Sequence, residues 1–198
     1  DQCHMAEHST VLEIGCGDGS LWLENKEKIP KQLHVVLSDI SEGMLRDTRR
    51  AIHANVKTSR FDFQVFDCER IPYPDNSFDL VIANHILFYC KNLTSVFEEI
   101  SRVLKTGGTF VCSTYGAAHM KEINELVSEF DDRIVLSADR LFERFGKENG
   151  ADLLAPYFQN IKWLSYEDSL HVTEPETLIS YVLSCHGNQN QYIIDHYK

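Results

Sequence analysis

Thr10-Val11-Leu12-Glu13-Ile14-Gly15-Cys16-Gly17-Asp18-Gly19 is the stretch that decides the fold. The run from Thr10 to Ile14 is short and apolar and ends directly at glycines, the pattern of a buried parallel strand entering a tight turn. Glycines at 15, 17 and 19 leave room for the backbone to reverse and for a bulky ligand to approach it. The spacing is G-x-G-x-G, whereas a dinucleotide loop uses G-x-G-x-x-G and a P-loop continues into Gly-Lys-Ser/Thr. An acid before the loop, Glu13, suits a zwitterionic ligand with an ammonium group better than a pyrophosphate.

Outward from this turn the chain alternates. Residues 20 to 28 read as a short helix, and Leu33 to Leu37 as a second strand stopping at Ser38-Asp39. Ser41 can cap a helix from Glu42 to about Ala54 that carries Met44, Leu45 and Ile52 on its apolar side. Phe61 to Phe66 is a third strand ending at Asp67, Pro72 to Asn76 is punctuation, and Phe78 to Ala83 is a fourth strand. An amphipathic helix over 94–104 is stopped by Lys105-Thr106-Gly107-Gly108, with the lysine at the carboxyl end of the helix dipole. Thr109 to Ser113 is a fifth strand. Strands alternating with helices require a mostly parallel sheet with right-handed crossovers, covered on both faces: a doubly wound, three-layer α/β fold.

The second half is less regular. Helices are expected at about His119 to Phe130, Arg140 to Glu148 and Ala151 to Phe158, followed by a run from Ile161 to Val172. A last helix, Glu174 to Ser184, has Thr173 as its cap. Residues 1–198 read as one domain, with a cofactor-binding half over 10–115 and a substrate-side half over 116–198.

Ligands of open parallel sheets sit outside the carboxyl ends of the strands, so the strand ends carry the chemistry. Asp39, twenty-two residues after Gly17, can accept hydrogen bonds from a ribose diol in either a dinucleotide or a nucleoside site. Asp67, beside Cys68, can accept an adenine exocyclic amine while the neighbouring backbone reads the ring edge. The ligand expected from the three strand ends is a nucleoside.

The balance of charge narrows the partners. With 30 acidic and 19 basic side chains, a formal charge of -11 makes the average surface repel phosphate backbones and anionic headgroups, so neither nucleic acid nor membrane is an expected partner. Arg46, Arg49 and Arg50 have the spacing of one solvated helix face. Six cysteines form no C-x-x-C pair and no metal-like cluster with the histidines. No run approaches the ~20 apolar residues of a membrane span, and no charged leader opens the chain. A cytoplasmic protein with reduced thiols and no metal is expected.

Val11 to Gly19 resembles the first motif of class I S-adenosylmethionine-dependent methyltransferases. Ser38-Asp39-Ile40-Ser41 with Met44 is similar to their ribose-binding segment, and Asp67 to Pro72 followed by Phe78 to Ala83 to their adenine-side segment and fourth strand. Arg102 to Phe110 resembles the helix and turn leading into their fifth strand. The match runs in order over about residues 10–115 and is closest to the type 11 small-molecule group. It implies a Rossmann-like methyltransferase fold of six or seven strands, although a seventh, antiparallel strand is not found before Lys198. It also implies S-adenosylmethionine as cofactor and S-adenosylhomocysteine as product.

The resemblance distributes roles along the chain. Glu13, Gly15, Cys16 and Gly17 lie at the methionine moiety, Asp39 on the ribose hydroxyls with Ile40 beside it, and Met44 near the adenine. Asp67 and Cys68 lie at the adenine edge, and Asn84 and His85 at the methionine end and reacting centre. The sulfonium methyl is already activated, so the protein mainly orients an acceptor and excludes water. A base, where the acceptor needs one, would be His85, Tyr115 or His119, and Phe88 and Tyr89 could line an apolar acceptor pocket. The expected function is methyl transfer to a small-molecule acceptor by in-line displacement. The alternatives are a catalytically silent partner subunit that binds the same cofactor, and a nicotinamide-dependent oxidoreductase.

Overall fold

The computed structural model describes residues 5–57, 59–137, 140–166, 169–185 and 187–197. The chain divides into two compact units, Asp1–Thr114 with Asp152–Gln159, and Tyr115–Ala151 with Asn160–Lys198.

The first unit is built on five parallel strands: β1 (Thr10–Ile14), β2 (His34–Asp39), β3 (Arg60–Val65), β4 (Phe78–Asn84) and β5 (Leu104–Ser113). Their spatial order is β3-β2-β1-β4-β5, so the direction of winding reverses between β1 and β4. Every residue from Val11 to Ile14 and from Val35 to Ser38 is buried, as strands covered on both faces require. On one face Val11, Val35, Leu37 and Ile82 pack with Trp22, Leu45 and Ile52 from the helices α1 (Ser20–Glu24) and α2 (Glu42–Asn55). Residues of opposite parity, including Leu12, Ile14, Val36 and Val81, are buried on the other. Helix α3 (Leu93–Val103) packs against β5 and buries Val96, Phe97, Ile100 and Val103. The segment 152–159 returns to this unit, where Phe158 stacks 5.1 Å from Phe110 and Tyr157 lies 5.5 Å from Phe97.

The helix starts follow their caps. Ser41 Oγ accepts the Met44 amide at 3.2 Å to open α2, and Asn92 Oδ1 accepts the Ser95 amide at 3.2 Å to open α3. Several expectations change. The helix over 20–28 breaks into α1 and a 3-10 turn, Lys26–Lys28. The buried stripe of α2 is Leu45, Thr48 and Ile52, while Met44 is 44% exposed. Lys105 does not end a helix: β5 already pairs with β4 at Leu104↔Phe78, residues 105–108 bulge out, and pairing resumes at Thr109↔Leu80. The lysine instead bonds Asp79 Oδ2 at 2.8 Å, an oxygen that also accepts the Thr10 amide. Finally, the described residues form five strands where six or seven were expected. The described residues between 160 and 174 form no strand. Ile161, Leu164, Leu170 and Val172 are all exposed, so no buried face offsets the entropy of ordering one.

In the second unit lie α4 (Lys121–Phe130), α6 (Pro175–Ser184) and α7 (Gln189–Tyr197), with α5 (Gly150–Leu154) at the crossing between units. Val127, Ile134 and Leu136 form its core with Ile123, Val182, Cys185, Tyr192 and Ile193. Asp131, buried after α4, accepts the Arg133 amide and both ends of its guanidinium at 2.8 to 3.0 Å. The helix expected over 140–148 shrinks to a 3-10 turn, Leu141–Glu143. Asn149 holds this turn, accepting from the Gly146 amide and donating to the Glu143 carbonyl, both at 2.7 Å. Thr173 caps nothing, since Glu174 is the cap residue of α6 and Pro175 opens it. Among the described residues no helix is long and apolar enough to cross a membrane.

Candidate functional site

The reversal of winding between β1 and β4 places the loops after these two strands side by side. In the loop after β1, all three glycines hold left-handed conformations, with φ of +67° at Gly15, +54° at Gly17 and +80° at Gly19. A Cβ on Gly15 would lie 2.4 Å from Ile86 Cγ2, and one on Gly19 would lie 2.7 Å from Thr48 Cγ2. Above Gly17 nothing lies within 4 Å. Two glycines thus admit protein neighbours, and the middle one faces open space.

Gly17 is held from both sides. Its amide donates to Asp39 Oδ2 at 3.1 Å, and its carbonyl accepts from Thr48 Oγ1 at 2.6 Å. The other Asp39 oxygen accepts the Ser41 amide at 2.9 Å, so one carboxylate joins the ends of β1 and β2. Below the loop, Cys16 donates its amide to the Ser38 carbonyl at 2.9 Å, and Ser38 Oγ donates to the Glu13 carbonyl at 3.0 Å. Glu13 itself is 2% exposed and accepts from the Trp22 indole N–H at 2.6 Å. Burial pushes its carboxyl up to about 8, and burial likewise raises the Cys16 thiol. Asp18 accepts from the amide and hydroxyl of Ser20, which leads the chain into α1 and holds the Asp18 carboxyl below its usual range.

Beyond Asp39 the surface turns apolar. Ile40 is 73% exposed beside the half-exposed Met44. At the end of β3, Asp67 Oδ1 accepts the Glu69 amide at 2.9 Å, and the Cys68 sulfur lies 3.5 Å from that of Cys90. At the end of β4, Asn84 Oδ1 accepts from Ser113 Oγ at 3.1 Å. His85 adopts φ +53°, uncommon for a residue with a Cβ, and donates its amide to the Ser113 carbonyl at 3.1 Å. That left-handed turn lets the chain leave β4 with Ile86 lying on Gly15. Phe88 is buried and Tyr89 is 65% exposed, their rings 4.7 Å apart.

Of the expected site residues, Glu13, Gly15, Cys16, Gly17, Asp39, Ile40, Asp67, Cys68, Asn84 and His85 lie at or just past strand ends of the first unit, and Met44 lies in the first turn of α2 in the same unit. Glu13 lies beneath the loop, on Trp22. Tyr115 and His119 belong to the second unit, where their rings approach to 4.6 Å. Sequence reasoning missed Thr48 and Ile86, and the hydrogen bonds that Ser38 and Ser113 make. Thr48 alone left a signal, a hydroxyl three residues from Leu45 and four from Ile52 on the buried stripe of α2.

A cleft of about 600 Å³ beside β3 contains none of these residues. Arg102 on its wall is already bonded to Glu99, Asp75 and the carbonyls of Tyr73 and Ile71, which makes the cleft a structural seam. Arg46 and Arg50 pair with Asp47, while Arg49 lies over the Phe63 ring and bonds the Phe63 carbonyl, as a solvated helix face should. Among the described residues no group of three or more His, Cys, Asp or Glu could hold a metal ion.

Residues 12–112 match the family model described as a methyltransferase domain. Demethylmenaquinone methyltransferase of Symbiobacterium thermophilum is 33% identical over 111 residues, covering 56% of this chain and 44% of that protein. Malonyl-[acyl-carrier protein] O-methyltransferase of Nitrosospira multiformis is 30% identical over 135 residues, 62% of this chain and 44% of its own. The chain therefore spans about half the length of the curated relatives it matches. Among solved structures, the PH0226 protein of Pyrococcus horikoshii OT3 superimposes with a TM-score of 0.57 at 24% identity, over 79% of this chain and 76% of that one. This likeness shows the Rossmann-like fold. The S-adenosylmethionine-dependent methyltransferase of Mesorhizobium loti gives 0.50 at 25% identity, over 60% and 52%. With its glycine loop, its strand-end acids and the matched region in register, the chain belongs to the S-adenosylmethionine-dependent methyltransferases, in the type 11 methyltransferase-domain family.

Proposed function

We propose that the chain binds S-adenosylmethionine across the carboxyl ends of β1 to β4 and transfers its methyl group to a small organic acceptor. The observation that carries the reading is Gly17, fixed by Asp39 and Thr48 yet open to solvent on the side where a Cβ would stand. A backbone immobilised at one point and left bare above it is a cradle for a ligand that packs on main chain.

The residues present fit the cofactor. Gly15, Cys16 and Gly17 border its methionine part, with Glu13 supporting the loop from beneath. Asp39 uses one lone pair on each oxygen for an amide, and a carboxylate has about four acceptor positions, so it retains capacity for two ribose hydroxyls. The exposed Ile40 and Met44 offer an apolar wall to the adenine, and Asp67 and Cys68 its edge. Asn84 and His85, after β4, serve the methionine end. The cofactor supplies a methyl group on a sulfonium that leaves as a neutral thioether. The chain's own task is to align the acceptor and shed water.

A small acceptor agrees with the formal charge of -11, which opposes polyanions, and with an exposed Tyr89 as apolar lining after β4. Two relatives named above methylate different substrates by their names, so the acceptor is read as a class. His85 is the base candidate of the first unit, Tyr115 and His119 those of the second. The test is transfer of a tritiated methyl group to a panel of phenols, carboxylic acids, activated carbons and amines. Labelled product matched by equal S-adenosylhomocysteine supports the reading. Tight cofactor binding with no transfer to any acceptor class would replace it with a silent binding subunit. His85→Asn, which tolerates the left-handed backbone, Tyr115→Phe and His119→Asn then assign the base, and turnover equal to the parent in all three removes it from the mechanism.

A further inference from the structure

Cys68 and Cys90 are far apart in sequence and touch through their sulfurs, 3.5 Å apart and half-buried. Cys68 follows Asp67 beyond β3. Cys90 closes the 3-10 turn Leu87–Tyr89 beyond β4, donating its amide to the Leu87 carbonyl at 3.1 Å. Their nearness does not rest on the thiols. Glu69 Oε1 accepts the amides of Lys91 at 3.1 Å and Asn92 at 2.9 Å, tying the residue after Cys68 to the two residues after Cys90. The backbone thus brings the two sulfurs together without a bond between them.

A disulfide needs its sulfurs about 2.05 Å apart, so closure requires an approach of about 1.5 Å, within the reach of side-chain rotation. The two thiols also differ. The contact between the sulfurs, in which either can donate, holds Cys68 above an ordinary thiol, with burial adding to the rise, and draws Cys90 below one, against burial and the charges of Glu69 and Asp67. Cys90 is the sulfur better suited to attack, and either order of attack closes the same disulfide.

We propose that Cys68 and Cys90 form a hydroperoxide-reactive thiol pair whose closure to a disulfide reversibly weakens cofactor binding at the adjoining Asp67–Cys68 edge. The binding half of this inference rests on the cofactor assignment above. The Cys90 sulfur attacks one oxygen of the hydroperoxide, the O–O bond breaks, and the other oxygen takes the Cys90 thiol proton and leaves as water or alcohol. The Cys68 sulfur then attacks the sulfenic sulfur of Cys90, the S–O bond breaks, and the hydroxyl departs as water with the Cys68 proton. Two thiols lose two electrons and the peroxide gains them, while a dithiol reductant reverses the exchange. Closure draws Cys68 toward Cys90 and away from the position it holds beside Asp67, which is why affinity should fall.

The experiment treats the whole chain with hydrogen peroxide, blocks remaining thiols, and maps peptides by mass spectrometry. S-adenosylhomocysteine is titrated before oxidation, after it, and after dithiothreitol. The expected result is a Cys68–Cys90 link, an affinity lowered about fivefold or more, and recovery on reduction. Cys90→Ser should bind like the reduced parent and ignore peroxide. Absence of that link, or a link that leaves affinity unchanged, overturns the proposal. If the reduced chain fails to bind S-adenosylhomocysteine, the cofactor assignment and the regulatory half fail together, while the peptide map still decides whether the disulfide forms.

Discussion

The Gly17 amide donates to Asp39 Oδ2 at 3.1 Å, so the acid that ends β2 also fixes the bare point of the loop after β1. Asp39 thus has two tasks, holding the loop and presenting acceptors to a ribose. Asp39→Ala should weaken S-adenosylhomocysteine binding by about 1–3 kcal/mol, measured by calorimetric titration, with the circular dichroism of the fold retained. Equal affinity in parent and variant would remove Asp39 from the site.

Thr48 holds the same residue through its carbonyl. Replacing the hydroxyl by a methyl in Thr48→Val leaves the Gly17 carbonyl short of a donor and should cost about 1–2 kcal/mol of stability, with a further loss of cofactor affinity. Thr48→Ser keeps the donor and should restore affinity. A Ser variant as weak in binding as the Val variant would mean that volume, and not the hydrogen bond, is what matters.

The glycines separate packing from binding. Gly17→Ala meets no neighbour within 4 Å and carries only the left-handed penalty of about 1–2 kcal/mol, yet it puts a methyl group into the cradle. Gly15→Ala adds a clash with Ile86 of about 1–3 kcal/mol. Chemical denaturation should rank Gly15→Ala as the less stable, and titration should rank Gly17→Ala as losing more affinity per unit of stability lost. The opposite ranking would turn the open side of the loop away from the ligand.

Glu13 gives a pH dependence of definite sign. Its carboxyl titrates near 8 in the folded chain and near 4.5 when exposed, so between these values the folded state keeps a proton that the unfolded state has released. Stability from this group is complete below 4.5, falls by at most about 1.4 kcal/mol per pH unit, and is gone above 8. Glu13→Gln keeps an acceptor for the Trp22 indole and removes the titration. Urea melts from about pH 5 to about pH 9 should show the variant gaining on the parent as pH rises. A constant difference across that range would mean that Glu13 is ionised in the fold throughout.

Much of the first unit was legible because β-branched runs ending in glycine or aspartate leave few choices for a buried parallel strand. The strand-end residues came with the strands. What could not be read depends on contacts distant in sequence. Gly107-Gly108 looked like a helix stop because a bulge between Leu104 and Thr109 is defined by its partner strand β4. Thr48 drew no reading of its own, because the Gly17 carbonyl it holds lies far away in sequence. The Cys68–Cys90 contact had no local motif to announce it. In the second unit, the helix expected over 140–148 is only the turn Leu141–Glu143, because Asn149 bonds the Gly146 amide and the Glu143 carbonyl across it, and the run after Asn160 offered apolar residues without a face to bury them.

Calorimetric titration of S-adenosylhomocysteine into the chain, beside NADH and NADPH, decides which cofactor the strand ends hold. Saturable binding in the micromolar range is expected for S-adenosylhomocysteine, weakened by Asp39→Ala and Gly17→Ala, and none for either nicotinamide. Binding of a nicotinamide with no heat from S-adenosylhomocysteine would contradict the S-adenosylmethionine assignment.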